Sequence, residues 1–264
     1  MKATFDFSGA NVYVFGGTSG INLGIADAFA KAGATVAVAS RKQEKVDAAV
    51  SQLSAHGGTA TGHALDVRDP AAVEEALQAF RGSHGEIDVL ISGAAGNFPA
   101  PAVGMSPNAF KSVVDIDLLG TYHVMRAGFQ HLRKPGASVI NISAPQAQIP
   151  MALQAHVCAA KAGVDLLTKS CAIEWGSVGV RVNAIIPGPI ENTEGMARLA
   201  PTPEAAEAAR KSVPLQRYGQ ASEVGQACLF LASDAGAYVS GALLPVDGGW
   251  LAAGVPLNAM TMLG

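Results

Sequence analysis

Short β-branched runs alternate along the chain with longer alanine-rich stretches, and no other feature restricts the fold so strongly. The runs fall at Asn11–Phe15, Thr35–Ser40, Thr61–Leu65, Val89–Ser92, Ser138–Ser143, Arg181–Ile186 and Ala242–Val246. They are nearly apolar throughout, as strands are when helices cover both faces of their sheet. Helical patterns between them span Gly20–Ala32, Gln43–Ala55, Pro70–Arg81, Pro107–Leu132, Met151–Gly176 and Ser222–Ser233. Asp69-Pro70 and Ser106-Pro107 each set a capping side chain before an N1 proline, which marks two helix starts sharply. Repeated strand–helix–strand units predict an α/β chain: one Rossmann-like domain over residues 1–264, a doubly wound parallel sheet of about seven strands.

Composition narrows the partners. The chain has 264 residues, 49% of them hydrophobic, enough for a sizeable core. Only 18 residues are basic and the net charge is −3, which argues against nucleic acid. No apolar stretch approaches the roughly 18 residues that span a membrane. The N-terminus lacks the apolar run of a signal peptide, and the ending Thr261-Met262-Leu263-Gly264 is no peroxisomal address, so the cytoplasm is expected. Cys158, Cys171 and Cys228 have no metal or redox spacing and read as buried thiols; no metal site is expected. Pro187-Gly188-Pro189 opens an irregular stretch, 187–214, that follows a strand and suits a lid over a pocket. The apolar tail Trp250–Gly264 suits either a frayed end or a subunit contact.

The first strand leads into Gly16-Gly17-Thr18-Ser19-Gly20-Ile21-Asn22-Leu23-Gly24 and then a helix. Glycines there permit positive φ and let backbone N–H groups approach a pyrophosphate, at which the helix points its positive end. Strand before and helix after is the context that makes such a loop a dinucleotide site. Asn22 stands where a third glycine is usual, and its tolerance of unusual backbone angles predicts a shifted but working loop. At the end of the second strand, Ser40-Arg41-Lys42 contains no acid to accept a ribose 2′-hydroxyl. Arg41 can instead pair with a 2′-phosphate, with Ser40 and Lys42 as further donors, which favours NADPH over NADH. Asp66-Val67, after the third strand, suits the adenine amino group; a plain turn is the alternative.

The glycine loop, Asp66-Val67, Lys161, Pro187-Gly188-Pro189-Ile190 and Asp247-Gly248-Gly249 occur in the order of the short-chain dehydrogenases/reductases, which the whole chain resembles. It is most similar to the peroxisomal type of 2,4-dienoyl-CoA reductase. Ala94-Ala95-Gly96-Asn97-Phe98, Asp115-Ile116-Asp117, Ala152-Leu153-Gln154 with His156, Thr193-Glu194-Gly195 and Pro214-Leu215-Gln216-Arg217 carry that likeness. The resemblance implies that Ala94, Pro187, Gly188, Ile190 and Lys161 join the loop in holding the cofactor. Ordinary family members reduce carbonyls with an Asn, a Ser and a Tyr-x-x-x-Lys pair. Here Val157, Ala144 and Leu119 stand at the tyrosine, serine and asparagine positions, and Lys161 alone is kept. Gln146 aligns with the upstream tyrosine of the mitochondrial reductases.

Valine has no proton to give to an alkoxide, so ordinary ketone reduction is disfavoured. The resemblance implies reduction of a conjugated enoyl or dienoyl thioester, with Lys161 and Asp117 as catalytic residues. Lys161 would donate to the nicotinamide ribose, and Asp117 would orient a proton-giving water. Phe98, Gln146, His156 and Arg198 are the expected substrate contacts, Arg198 toward a CoA phosphate. Asp247 suits either a pocket floor or a structural turn. Two other functions fit the residues: reduction of another metabolite by a rearranged proton donor, and nucleotide binding without catalysis. A homotetramer is expected, with Pro107–Leu132 and Met151–Gly176 as contact helices.

Overall fold

The computed structural model describes residues 3–254. Seven strands form one parallel sheet: β1 (Asn11–Phe15), β2 (Thr35–Ser40), β3 (Ala60–Ala64), β4 (Val89–Ser92), β5 (Ser138–Ile142), β6 (Arg181–Pro187) and β7 (Leu243–Val246). Their order is β3-β2-β1-β4-β5-β6-β7, so the winding reverses between β1 and β4. Ligands of open α/β sheets bind beyond the strand ends at such a reversal.

Within β1, successive side chains enter opposite faces. Val12 and Val14 pack with Ile25, Phe29 and Leu229, whereas Tyr13 and Phe15 pack with Leu77, Phe80 and Val139. A strand apolar on both faces therefore ties two cores together, and each large side chain contributes about 1.5–3 kcal/mol on burial. The α-helices of the described residues are α1 (Gly20–Lys31), α2 (Gln43–Ser54), α3 (Pro70–His84), α4 (Pro107–Val113), α5 (Gly120–Gly128), α6 (Ala155–Gly176), α7 (Glu194–Leu199), α8 (Pro203–Ser212) and α9 (Ala221–Ala232). Asp69 accepts from Ala71 and Ala72 N–H, and Ser106 from Ala109 N–H, so both expected caps are formed.

Some boundaries differ from the sequence pattern. β3 lies one residue earlier than Thr61–Leu65, on the sheet edge, where half-exposed residues weaken the apolar signal. The single helix expected over Pro107–Leu132 is broken by a π-helical segment, Val114–Leu119, and α5 ends at Gly128. Leu132 instead bridges Ile87 beside the sheet. The helix expected from Met151 starts at Ala155, because Leu153 takes φ +64°. Asn22 has no positive φ; it lies inside α1, and its side-chain amide donates to the Gly93 carbonyl at 2.7 Å. Room for it exists because residue 93 lacks a side chain: a Cβ there would stand 2.3 Å from Asn22 Oδ1.

Candidate active site

The glycine loop sits at the reversal. Gly16 has φ +78° and donates its N–H to the Ala39 carbonyl at 2.8 Å. A Cβ on Gly16 would be 2.8 Å from the Ala94 nitrogen, so the loop lies directly against the end of β4. Gly20 opens α1 with φ +53°. Ser19 is the N-cap but makes no side-chain capping bond, and the first turn holds no acid. Thr18, Ser19, Gly20 and Ile21 thus leave helix N–H donors open to an anion, and the cradle fits a dinucleotide pyrophosphate. A side chain at Gly20 would touch Thr193 at 3.6 Å, so the segment after Pro187 lies over this helix end. Gly188 is similarly required, since its Cβ would stand 2.6 Å from the Asp247 backbone; Ile190 is buried and bridges Gly219.

Beyond β2, Arg41 and Lys42 are exposed, and the Ser40 hydroxyl is buried without a hydrogen-bond partner among the described residues. Arg41 is in no ion pair among these residues, whereas Lys42 lies 3.8 Å from Glu44. Asp66 is engaged: it accepts Arg68 N–H and Nε at 3.0 Å each, and Nη2 at 2.5 Å. Arg68 holds the Asp66 carboxyl below its ordinary range; burial opposes this, and the Arg41 charge adds to it. Asp66 therefore closes a turn, and an adenine would share it with Arg68. Val67 is buried against Gly120, where a Cβ would meet it at 2.6 Å.

Past β4 the site is built from side chains. Asp117 lies in the π segment, only 1% exposed, and its Oδ1 accepts the Gly96 N–H at 2.7 Å. Its Oδ2 is 3.4 Å from Lys161 Nζ but makes no aligned hydrogen bond. Lys161, buried on α6, donates to the Ile142 carbonyl at 2.8 Å. Burial pushes the Asp117 carboxyl up from its ordinary value, against the pull of Lys161 and the Gly96 N–H. The π segment explains the orientation. The Asp117 carbonyl accepts the Thr121 hydroxyl at 2.7 Å, and Ser92 on β4 donates to Thr121 at 3.2 Å. π-Helical turns of this kind occur frequently at functional sites. Leu119, taken from the sequence as the asparagine position, is 42% exposed and outside the site. Asp117 is the residue this segment offers.

Val157 is buried one turn before Lys161, in an apolar cluster with Val113, Ala160, Leu118 and Phe98. The Phe98 ring lies 4.4 Å from that of His156, which is fully buried. Burial lowers the His156 pKa; the Phe98 carbonyl and the Asp117 charge oppose it. Gln146 donates to Gln154 at 2.8 Å, both side chains being buried. Arg198 on α7 donates to the Asn97 carbonyl and to Glu194, so a phosphate there would compete with Glu194. Asp247 accepts from Gly249 and Leu251 N–H at 2.9 and 2.7 Å, which makes it a turn residue. Sequence reasoning missed Gln154, Asn97 and the Gly96 N–H as parts of the site, although all three stand in the stretches that carry the family likeness.

Half of the ten buried side-chain polar atoms without partners among the described residues belong to this site. Asp117 Oδ2, Asn97 Oδ1, Gln146 Oε1 and both His156 nitrogens are buried without partners among the described residues. Buried polar groups are nearly always hydrogen-bonded, so a concentration of exceptions needs a cause. A cavity of about 580 Å³ lies on the Ile190 side of the cradle, lined also by Val213, Leu215 and Asp247. Among the described residues no cluster of His, Cys, Asp or Glu could hold a metal ion, and no helix is long and apolar enough to cross a membrane.

Comparison with known proteins agrees with this geometry. Residues 16–251 match a family model described as enoyl-(acyl carrier protein) reductase. A peroxisomal 2,4-dienoyl-CoA reductase of Danio rerio, (3E)-enoyl-CoA-producing, is 44% identical over 90% of this chain and 81% of its own. A probable 2,4-dienoyl-CoA reductase of Bacillus subtilis, (2E)-enoyl-CoA-producing, is 38% identical over 91% of this chain and 96% of its own. Among solved structures, levodione reductase superposes with TM-score 0.89 at 29% identity, covering 94% of this chain and 99% of that one. A Bacillus anthracis short chain dehydrogenase gives 0.83 at 35% identity, covering 92% and 96%. With the sheet reversal, the glycine cradle and Lys161 already in place, these matches establish that the chain belongs to the short-chain dehydrogenase/reductase family of oxidoreductases.

Proposed function

We propose that the protein reduces a conjugated 2,4-dienoyl or enoyl thioester, carried on coenzyme A, with NADPH. The observation that carries this reading is the buried Asp117–Lys161 pair in a site whose tyrosine and serine positions hold Val157 and Ala144. A ketone reductase must deliver a proton to oxygen, and neither residue has one. A conjugated thioester is protonated on carbon, and a water can serve if polar groups orient it. When bound, the reduced nicotinamide supplies a hydride to the far end of the conjugated chain.

The chain's own residues do the rest. The Gly16–Ile21 loop, Ala94, Pro187, Gly188 and Ile190 hold the dinucleotide, and Arg41 with Ser40 and Lys42 meets its 2′-phosphate. Lys161 donates to the ribose and adds positive potential where negative charge develops. Asp117 Oδ2 holds the proton-giving water. Phe98 packs on the acyl chain, Gln146 contributes an amide, and Arg198, on a lid formed by 187–214, exchanges Glu194 for a phosphate of the carrier. We further propose that it acts in the cytoplasm as a homotetramer, which cell fractionation and sedimentation test.

The decisive assay offers purified protein 2,4-hexadienoyl-CoA, enoyl-CoA and a panel of ketones, and follows consumption of NADPH or NADH. Turnover of the dienoyl thioester with NADPH is expected. Turnover of ketones alone, or nucleotide binding without any turnover, would remove the proposal.

A further inference from the structure

The imidazole of His156 lies in the first turn of α6, next to Val157, with 0% exposure; the Phe98 carbonyl is near it, but neither nitrogen makes an aligned hydrogen bond among the described residues. A buried imidazole without partners is a costly arrangement unless a ligand supplies them. We propose that His156 is the hydrogen-bond donor to the thioester oxygen of the bound acyl group, in place of the family's missing hydroxyls. This rests on the thioester reading above and assigns the group that makes it work.

Three observations converge. First, reduction of a conjugated thioester puts negative charge on the thioester oxygen, and a buried donor aimed there is a large source of rate enhancement. Val157, Ala144 and Leu119 supply no donor, and the three Lys161 N–H groups face the Ile142 carbonyl, the Asp117 carboxylate and, in the reading above, the ribose. His156 has an N–H to give. Second, burial favours the uncharged ring, so it polarises the oxygen without surrendering its proton. Third, the ring is covered by Phe98, which is part-exposed and sits on the irregular stretch between β4 and α4. An incoming acyl group can displace Phe98 without unravelling a helix.

The chemistry balances. The conjugated chain gains two electrons and one hydrogen as hydride from the reduced nicotinamide, and its π electrons shift to the thioester oxygen. His156 donates to that oxygen and no bond to the imidazole breaks. The C=O then reforms as a chain carbon takes a proton from the Asp117-held water, and solvent replaces that proton.

The test compares wild type with His156→Leu and His156→Gln. Leucine fills the space and removes the orphaned nitrogens; glutamine keeps an N–H. Each protein is mixed with 2,4-hexadienoyl-CoA and NADP+, and the dienoyl absorption band is recorded, since a polarised carbonyl moves it to longer wavelength. We expect the shift in wild type, its loss in His156→Leu and partial recovery in His156→Gln. Turnover of His156→Leu should fall about 100-fold, with NADPH affinity unchanged and His156→Gln intermediate. A His156→Leu protein that keeps the band shift and turns over within about threefold of wild type overturns the inference alone. Equal losses in both variants overturn it too, since they mark the ring's packing and not its N–H. A wild type that binds NADPH yet neither shifts nor reduces the dienoyl thioester overturns the substrate reading, and the inference with it.

Discussion

The two sides of the sheet reversal are built in different materials. Between β1 and α1 the site is backbone: Gly16 and Gly20 at positive φ, open N–H groups and close approach to Ala94. Beyond β4 it is side chains, Asp117, Lys161, His156 and Gln146, all buried, with unpaired polar atoms on three of the four. A backbone site tolerates side-chain change but not an added Cβ. A side-chain site tolerates neither the loss of a charge nor the loss of a donor. In the proposed function the first therefore binds the constant part of the reactants, and the second sets which reaction follows.

The sharpest way to break this contrast is Lys161→Met. It leaves the Asp117 carboxyl buried without its ion partner, and breaking such a pair costs about 3–5 kcal/mol. Denaturant unfolding should show that loss, and thioester turnover should fall at least about 100-fold. The pH dependence follows from the direction of the Asp117 shift. Its folded pKa is raised above the ordinary carboxylate value, so between those two values the folded state holds a proton that the unfolded chain has released, and above both the carboxylate is paired with Lys161. Stability then falls as pH rises from about 4 through the raised value, and Lys161→Met should be closest to wild type in acid. Adding Asp117→Asn to Lys161→Met should restore most stability and none of the activity. Equal stability of Lys161→Met and wild type at neutral pH would mean that the pair is not buried as described.

On the backbone side the comparable change is Gly16→Val. It places a side chain at φ +78° and within 2.8 Å of the Ala94 nitrogen. NADPH affinity by fluorescence titration should drop on the order of 100-fold, with folding less affected than in Lys161→Met. Arg41→Ala is milder because the guanidinium is exposed. Affinity for NADPH should fall about tenfold, and less at high salt, while NADH binding stays unchanged. Equal losses for both nucleotides would place Arg41 away from the 2′-phosphate.

The same division decides what could be read from the sequence. The strands were legible because buried parallel strands are apolar runs, and the loop because its glycines are required by backbone geometry alone. The break in the helix after Ser106 was not. A π segment keeps helix-forming residues, and its origin lies in the Thr121–Ser92 hydroxyl chain and the close fit of Gly120 on Val67, both tertiary. Leu153 at positive φ carries no signal either, since leucine does not favour that region. Asp117 and Lys161 were each picked out through family likeness, but their pairing needed the fold to bring the π segment against α6. Arg198 reads in sequence as a contact for a CoA phosphate and is engaged by Glu194 and Asn97 in the structure.

The smallest expected effect tests the contrast most finely. Asn22 is the one position in the glycine loop where a side chain replaces a hydrogen, so a purely backbone site predicts that Asn22→Gly changes little. The substitution removes a part-buried hydrogen bond to the Gly93 carbonyl, worth about 1 kcal/mol, and adds helix-interior glycine at about 0.5–1 kcal/mol. It also removes the buried, unpartnered Oδ1, which returns about 1–3 kcal/mol. The terms nearly cancel, so stability should move by no more than about 1 kcal/mol and NADPH affinity by less than about threefold. Gly93→Ala, by contrast, drives a Cβ to 2.3 Å from Asn22 and should destabilise the protein clearly. In the Asn22→Gly background that clash has no partner, and Gly93→Ala should become nearly neutral. Unfolding free energies of the four proteins form a double-mutant cycle with a large coupling. A coupling near zero would mean that Asn22 does not fill the space beside Gly93, and that the loop has a side-chain component after all.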